Sequence, residues 1–146
     1  MRRFWEFRTD RREYLYSRLM CWVALDRAIR LAWKRSFPAP IARWHDIRDT
    51  IYRDIMENFW HPGREAFVQH CETDQLDASC LIMPLMRILS PVDKRWVSTM
   101  RAIEKDLLDD SLVYRNRGPH GFGKEGTFCM CSFWYIDCLS RAGDIR

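Results

Sequence analysis

Two glutamates stand in settings that bear on acid–base chemistry. Trp5-Glu6-x-Arg8 puts a carboxyl beside an indole, with a guanidinium two residues on. An apolar neighbour disfavours the ionised form, so such a carboxyl can keep its proton near neutral pH and serve as a general acid. Gly123-Lys124-Glu125-Gly126 carries a second carboxyl in a glycine-rich stretch directly ahead of an apolar run. Cleavage of a glycosidic bond uses two carboxyl groups flanking the bond, which makes Glu6 with Glu125 a pair to consider. Each also has a plainer account. Trp-Glu pairs are common on surfaces, and an acid ahead of a helix is favoured there by the helix N-terminus.

Other chemistries find less support. The glycines at 118, 121, 123 and 126 match neither GxGxxG after a strand nor GxxxxGK[ST], so phosphate cradling is set aside. The four histidines, at 45, 61, 70 and 120, show neither HxxxH nor HExxH spacing, and no metal site is expected. Six cysteines sit at 21, 71, 80, 129, 131 and 138 without a CxxC pair. They lack a local base for nucleophilic work and read as reduced, buried thiols, which favours a reducing, cytoplasmic setting. Asp77, in Leu76-Asp77-Ala78-Ser79, reads as a helix cap.

The elements that must position these groups read as helices. Leu15, Leu19, Trp22, Val23, Ile29 and Trp33 recur at spacings of three and four, with Met20, Ala24, Ala28 and Leu31 on an adjacent face. That predicts a helix over 14–35 buried on two sides. Ser36-Phe37-Pro38-Ala39-Pro40 breaks it, and 41–58 reads as an amphipathic helix with Trp44, Ile47, Ile51 and Ile55 inward and an Asp49–Arg53 pair outward. His61-Pro62-Gly63 reads as a loop and 77–89 as an apolar helix kinked at Pro84. Ser90-Pro91-x-Asp93 reads as an N-cap at Ser90 opening a fourth helix to about 108. Leu112–Arg115 reads as a short extended piece, and 127–142 as a last buried helix stopped by Gly143. Buried and amphipathic helices alternate, the pattern of an inner and an outer ring.

Composition fits one all-α domain: 47% apolar, 30% charged, seven Trp, and a net charge of +4. Arg2, Arg3, Arg8, Arg11 and Arg12 gather near the start, but acids interleave elsewhere, which argues against a nucleic-acid partner. No apolar run is long enough for a membrane span, and the first residues carry no secretory h-region.

Several collinear stretches carry a resemblance. They are Trp5-Glu6-x-Arg8, Tyr16 to Ala28, Leu76-Asp77-Ala78-Ser79 running into Ile82-Met83-Pro84-Leu85, Ser90-Pro91-x-Asp93, Leu112-Val113-Tyr114-Arg115, and Glu125-Gly126-Thr127-Phe128 leading to Cys131-Ser132-Phe133-Trp134. Together they resemble the bacterial-type branch of glycoside hydrolase family 15, which holds glucoamylases, glucodextranases and related trehalases. The resemblance implies a partial (α/α)6 toroid. It implies an inverting α-glucoside hydrolase, glucoamylase-like on α-linked oligosaccharides or trehalase-type on a disaccharide, with no cofactor and no metal. On that basis Glu6 is the general acid, Trp5 walls the site, Arg115 contacts the sugar hydroxyls, and Glu125 is a further substrate contact.

The family's general base is expected after the helix holding Cys131 and Trp134, and an early Arg-Asp motif ahead of Trp5. Residues 1–146 are therefore expected to form a single partial domain lacking N-terminal and C-terminal parts of the barrel. Three largely apolar helices need neighbours that five helices cannot supply. Exposed apolar surface, a route to self-association, and weak or no turnover follow. A non-catalytic sugar-binding or interaction remnant is the alternative.

Overall fold

The computed structural model describes residues 12–117 and 126–143. Within them lie five α-helices and two small antiparallel hairpins. The first two helices are α1, Leu15–Arg35, and α2, Ile41–Asn58. Their bounds match those predicted, because Ser36 takes a left-handed conformation (φ 52°) and the two prolines allow no helix between them. The pair form the largest helix–helix contact of the chain.

Leu15, Leu19, Trp22, Ile29 and Ala32 of α1 are buried, as the first stripe requires. The second face is open: Leu31 is 52% and Trp33 70% exposed. Burial on two sides is thus not met within this chain, since no described element covers that face. In α2 the outward ionic pairing is Arg48 with Asp49 (2.8 Å) rather than Asp49 with Arg53, whose guanidinium reaches Thr50 instead.

The stretch read as a loop at 61–63 is the start of a hairpin. Strands β1 (Trp60–His61) and β2 (Ala66–Phe67) pair Trp60 with Phe67 and His61 with Ala66. Two-residue strands are too short to show a period of two, so alternation could not announce them. The hairpin is held from outside: the Phe67 amide donates to Thr99 Oγ1 at 3.1 Å and the Val68 amide to the Phe59 carbonyl at 3.0 Å.

The predicted helix over 77–89 is shorter. A 3₁₀ turn, Ala78–Leu81, runs into one α-turn, α3 (Ile82–Leu85). Pro84 lacks the N–H that would continue the ladder, and the chain reverses at Arg87, which sits at φ 66°. All eight residues from Leu76 to Met83 except the polar Asp77 and Ser79 add apolar atoms to the core, and every one is buried. Helix α4, Lys94–Leu107, starts later than Ser90 suggested. Asp93 is the cap, its carboxylate accepting from the Arg95 amide at 2.9 Å and the Trp96 amide at 3.3 Å. Ser90 only shapes the preceding turn, accepting from the Val92 amide at 3.4 Å.

After α4 comes a second hairpin, β3 (Leu108–Asp109) with β4 (Leu112–Val113). Its two-residue loop, Asp110-Ser111, has both residues at positive φ, the geometry that matches strand twist. The short extended piece expected at 112–115 is its second strand. Helix α5, Cys129–Ala142, ends at Gly143 with φ 77°. Only Cys131, Ser132 and Cys138 of α5 are buried, while Phe133 (70%) and Ile136 (57%) face outward.

The core joins Leu15, Leu19 and Trp22 of α1 to Phe59, Phe67, Leu81, Met83, Trp96, Ile103 and Val113. Helices α1 and α5 thus each turn one apolar side inward and leave another uncovered. This is an arc of a helical toroid. Asp93→Ala removes two accepted N–H bonds and should lower stability by about 1 kcal/mol. Ser90→Ala should change it by less than about 0.5 kcal/mol. Thermal unfolding followed by circular dichroism compares the two.

Candidate functional site

Asp77 is the best-packed acid of the described chain, only 1% exposed. One carboxylate oxygen accepts from the Ser79 amide at 2.7 Å and the other from Gln69 Nε2 at 3.1 Å. The cap reading is correct, and the group does more than cap. Gln69 follows β2, so its amide ties the hairpin to the start of the 3₁₀ turn. The Gln69 backbone amide also donates to the Gln75 carbonyl at 2.9 Å, closing the loop between them.

Arg115 is brought to this knot by its backbone. The Ala78 amide, next after Asp77, donates to the Arg115 carbonyl at 2.9 Å. Neighbouring bonds hold the same strand on both sides. The Tyr114 amide donates to the Leu107 carbonyl at 2.8 Å, the Phe128 amide to the Val113 carbonyl at 2.9 Å, and the Val113 amide to Ser132 Oγ at 2.9 Å. Helix α5, hairpin β3–β4 and the 3₁₀ turn therefore meet around residues 113–115. Arg115 is half-buried. A guanidinium so supported can offer several N–H donors to hydroxyl or carboxylate oxygens.

Of the four residues singled out from the sequence, Arg115 is the one the structure describes. Trp5, Glu6 and Glu125 lie outside the described residues. The chain resumes at Gly126, immediately after Glu125, three residues ahead of α5. Gln69 and Ser132 escaped the sequence reading, for neither lies in a spacing pattern. Their partners are remote in sequence, and a buried amide or hydroxyl gives no periodic signal.

Buried thiols line the same junction. Cys131 is within electrostatic reach of both Asp77 and Arg115. Burial first, and then the Asp77 charge, push its thiol up to about 12, with Arg115 pulling the other way. Cys138 donates to the Leu81 carbonyl at 3.1 Å, and burial followed by Asp137 pushes it up to about 12. Cys80 donates to the Phe67 carbonyl at 3.6 Å, and burial above all raises it further. Cys21, Cys71 and Cys129 are exposed, which corrects the expectation that all six are buried. Among the described residues no group of three His, Cys, Asp or Glu side chains could hold a metal, and no helix is long and apolar enough to cross a membrane.

A helical arc carrying a half-buried arginine on a clamped loop defines a class of toroidal all-α domain. The same arc occurs in a glycosidase solved in complex with glucose, with a TM-score of 0.81 over 96% of this chain and 38% of that one, at 19% identity. A wild-type glycosidase gives 0.80 over 97% and 37%. The description "Glycosyl hydrolases family 15" matches residues 3–146, and the chain belongs to that family. The trehalase of Thermoplasma acidophilum is 39% identical over 92% of this chain and 24% of its own length. That of Mycobacterium tuberculosis is 38% identical over 99% and 22%. The chain thus spans about a quarter of the curated relatives it matches.

Two outcomes test the junction. Asp77→Ala orphans the Ser79 amide and Gln69 Nε2 in a buried place, at about 1–3 kcal/mol for each group left unpaired. Urea unfolding should show a loss well above that of Asp93→Ala. Iodoacetamide at pH 8 should label Cys21, Cys71 and Cys129 and spare the other three, as peptide mass spectrometry would read. Because folding raises the buried thiols' pKa above about 9, their contribution is complete below that pH and lost as pH climbs towards 12.

Proposed function

We propose that this chain is the acid-bearing arc of an inverting α-glucoside hydrolase, in which Glu6 is the general acid. Trp5 walls the site beside it, and Arg115 and Glu125 contact the hydroxyls of the sugar being released. The observation that carries this reading is the family match across residues 3–146. The clamped backbone around Arg115, held by the Ala78 amide, supports the same reading. A loop fixed by four hydrogen bonds to core elements is a suitable base for a residue that must meet a sugar with little give.

The substrate class is an α-linked disaccharide or oligosaccharide. Trehalose comes first among candidates, because the relatives from Thermoplasma acidophilum and Mycobacterium tuberculosis are named trehalases. Glucoamylase-type α-glucans are the second. Residues 1–146 form one partial catalytic domain on this reading, and the second carboxyl of the pair belongs to a part of the family domain outside the matched quarter. Inversion needs that group to activate a water on the far face of the sugar. A general acid without it can bind and protonate but has no strong nucleophile to work with.

Slow release of glucose from trehalose, maltose or maltotriose is therefore expected from the chain. Glu6→Gln should lower that release about 10²–10⁴-fold. Release measured by a coupled glucose assay that is insensitive to Glu6→Gln would remove Glu6 from the role. Saturable sugar binding with no release at all, read by calorimetry, would favour a non-catalytic binding module instead.

A further inference from the structure

A cavity of about 260 Å³ opens next to the Asp77 junction. Arg64, Asp74, Asp106 and Arg117 line it, over a floor that includes Leu76 and Leu107. Leu76 directly precedes Asp77, and Arg117 follows Arg115 by two residues, so the cavity continues the same seam outward. Two guanidiniums face two carboxylates, and their charges balance. Neither an anion nor a cation gains from entering.

The groups are held in place. Arg64 pairs with Asp106 through Nη2, and its backbone amide donates to His61 Nδ1 at 3.1 Å. Arg117 lies over the Tyr114 ring, 4.2 Å from its centroid, with Asp109 at 3.3 Å. Asp74 is exposed and has no side-chain hydrogen bond or ion pair among the described residues. The cavity thus offers guanidinium donors, a carboxylate acceptor with open lone pairs, and two leucines at its base.

Alternating donors and acceptors around an apolar floor suit a neutral polyhydroxylated ring. Hydroxyls bridge guanidinium and carboxylate while the C–H face rests on leucine. We propose that this cavity is a second sugar subsite, taking the ring of an α-linked glucoside that lies beyond the one at Arg115. The assignment rests on Arg115 contacting sugar, as set out above. It adds Arg117 and Asp74 as the residues that distinguish a two-ring ligand from a single glucose.

The test is a titration of the methyl-labelled chain with glucose, trehalose and maltotriose, followed by NMR. Leu76 and Leu107 methyl resonances should move with the two longer sugars and not with glucose. Asp74→Asn with Arg117→Met should weaken the longer sugars about tenfold. Both positions lie at the surface, so the thermal midpoint and the affinity for glucose should stay unchanged. Shifts confined to residues beside Arg115, with maltotriose affinity unaltered in the double variant, would overturn the subsite and leave the Arg115 role intact. Leucine shifts that survive Arg115→Ala would keep the subsite and overturn that role. Absence of binding by all three sugars would overturn both.

Discussion

A single buried carboxylate sets the geometry on which the rest of this arc depends. Asp77 lies among apolar side chains, and a polar group in such a place is tolerated only when its lone pairs are used. Its two printed partners come from opposite directions: Ser79 from the turn it caps, and Gln69 from the strand side of the first hairpin. Satisfying one acid therefore fixes the distance between two segments that would otherwise be free to slide. The next amide along, that of Ala78, then reaches the Arg115 carbonyl. The capping of a short 3₁₀ turn and the placement of a functional arginine are consequences of the same local constraint.

Helix α1 is oriented by a comparable device on its other flank. Asp26 is 4% exposed and lies against Arg27 and Arg30, the latter at 2.8 Å, with Arg48 of α2 at 4.0 Å. Arg27 also reaches the Met86 carbonyl at 3.3 Å, at the end of the α3 segment. Removing a charge from water is costly, so such clusters contribute more to register than to net stability. Here the register matters because α1 and α2 meet mainly through a narrow apolar seam. In α2 only Ile55 and Met56 are fully buried. Leucine-on-leucine contact alone would leave the two helices free to rotate about it, whereas a buried aspartate shared with an arginine of the neighbouring helix would not.

The legible parts of the sequence were those governed by local rules. Helices α1 and α2 were readable to the residue because proline and apolar periodicity act within a few positions, and Gly143 announced the end of α5 in the same way. The (α/α)6 class was readable from collinear motifs rather than from periodicity. What escaped were features whose cause lies far along the chain. The hairpin at Trp60–Phe67 is stabilised by Thr99, thirty-two residues on from Phe67. The start of α4 turned on a choice between two good caps, Ser90 and Asp93, which lie three residues apart and differ in which one reaches two amides. At the site, Asp77 was visible as a cap while its Gln69 partner was not, and Arg115 was visible only through resemblance. Nothing in its spacing marks it off from the chain's other arginines.

The thiols show how the core and the site share one set of constraints. Helix α5 packs on the 3₁₀ turn through Cys131 and Cys138, small side chains that let the two backbones approach. Cys138 gives its S–H to the Leu81 carbonyl, a carbonyl at the end of the turn that would otherwise be left to bifurcated backbone bonding. A larger residue would push α5 away, and with it Ser132, whose hydroxyl takes the Val113 amide two residues before Arg115. A serine would fit at position 138 but would add a stronger polar group to a buried seam. Cysteine is small, mostly apolar and still able to donate once. The spacing between α5 and the 3₁₀ turn therefore reaches Arg115 by two backbone routes, one through Ser132 and Val113, the other through Ala78, so packing deep in the core sets the position of a side chain at the rim.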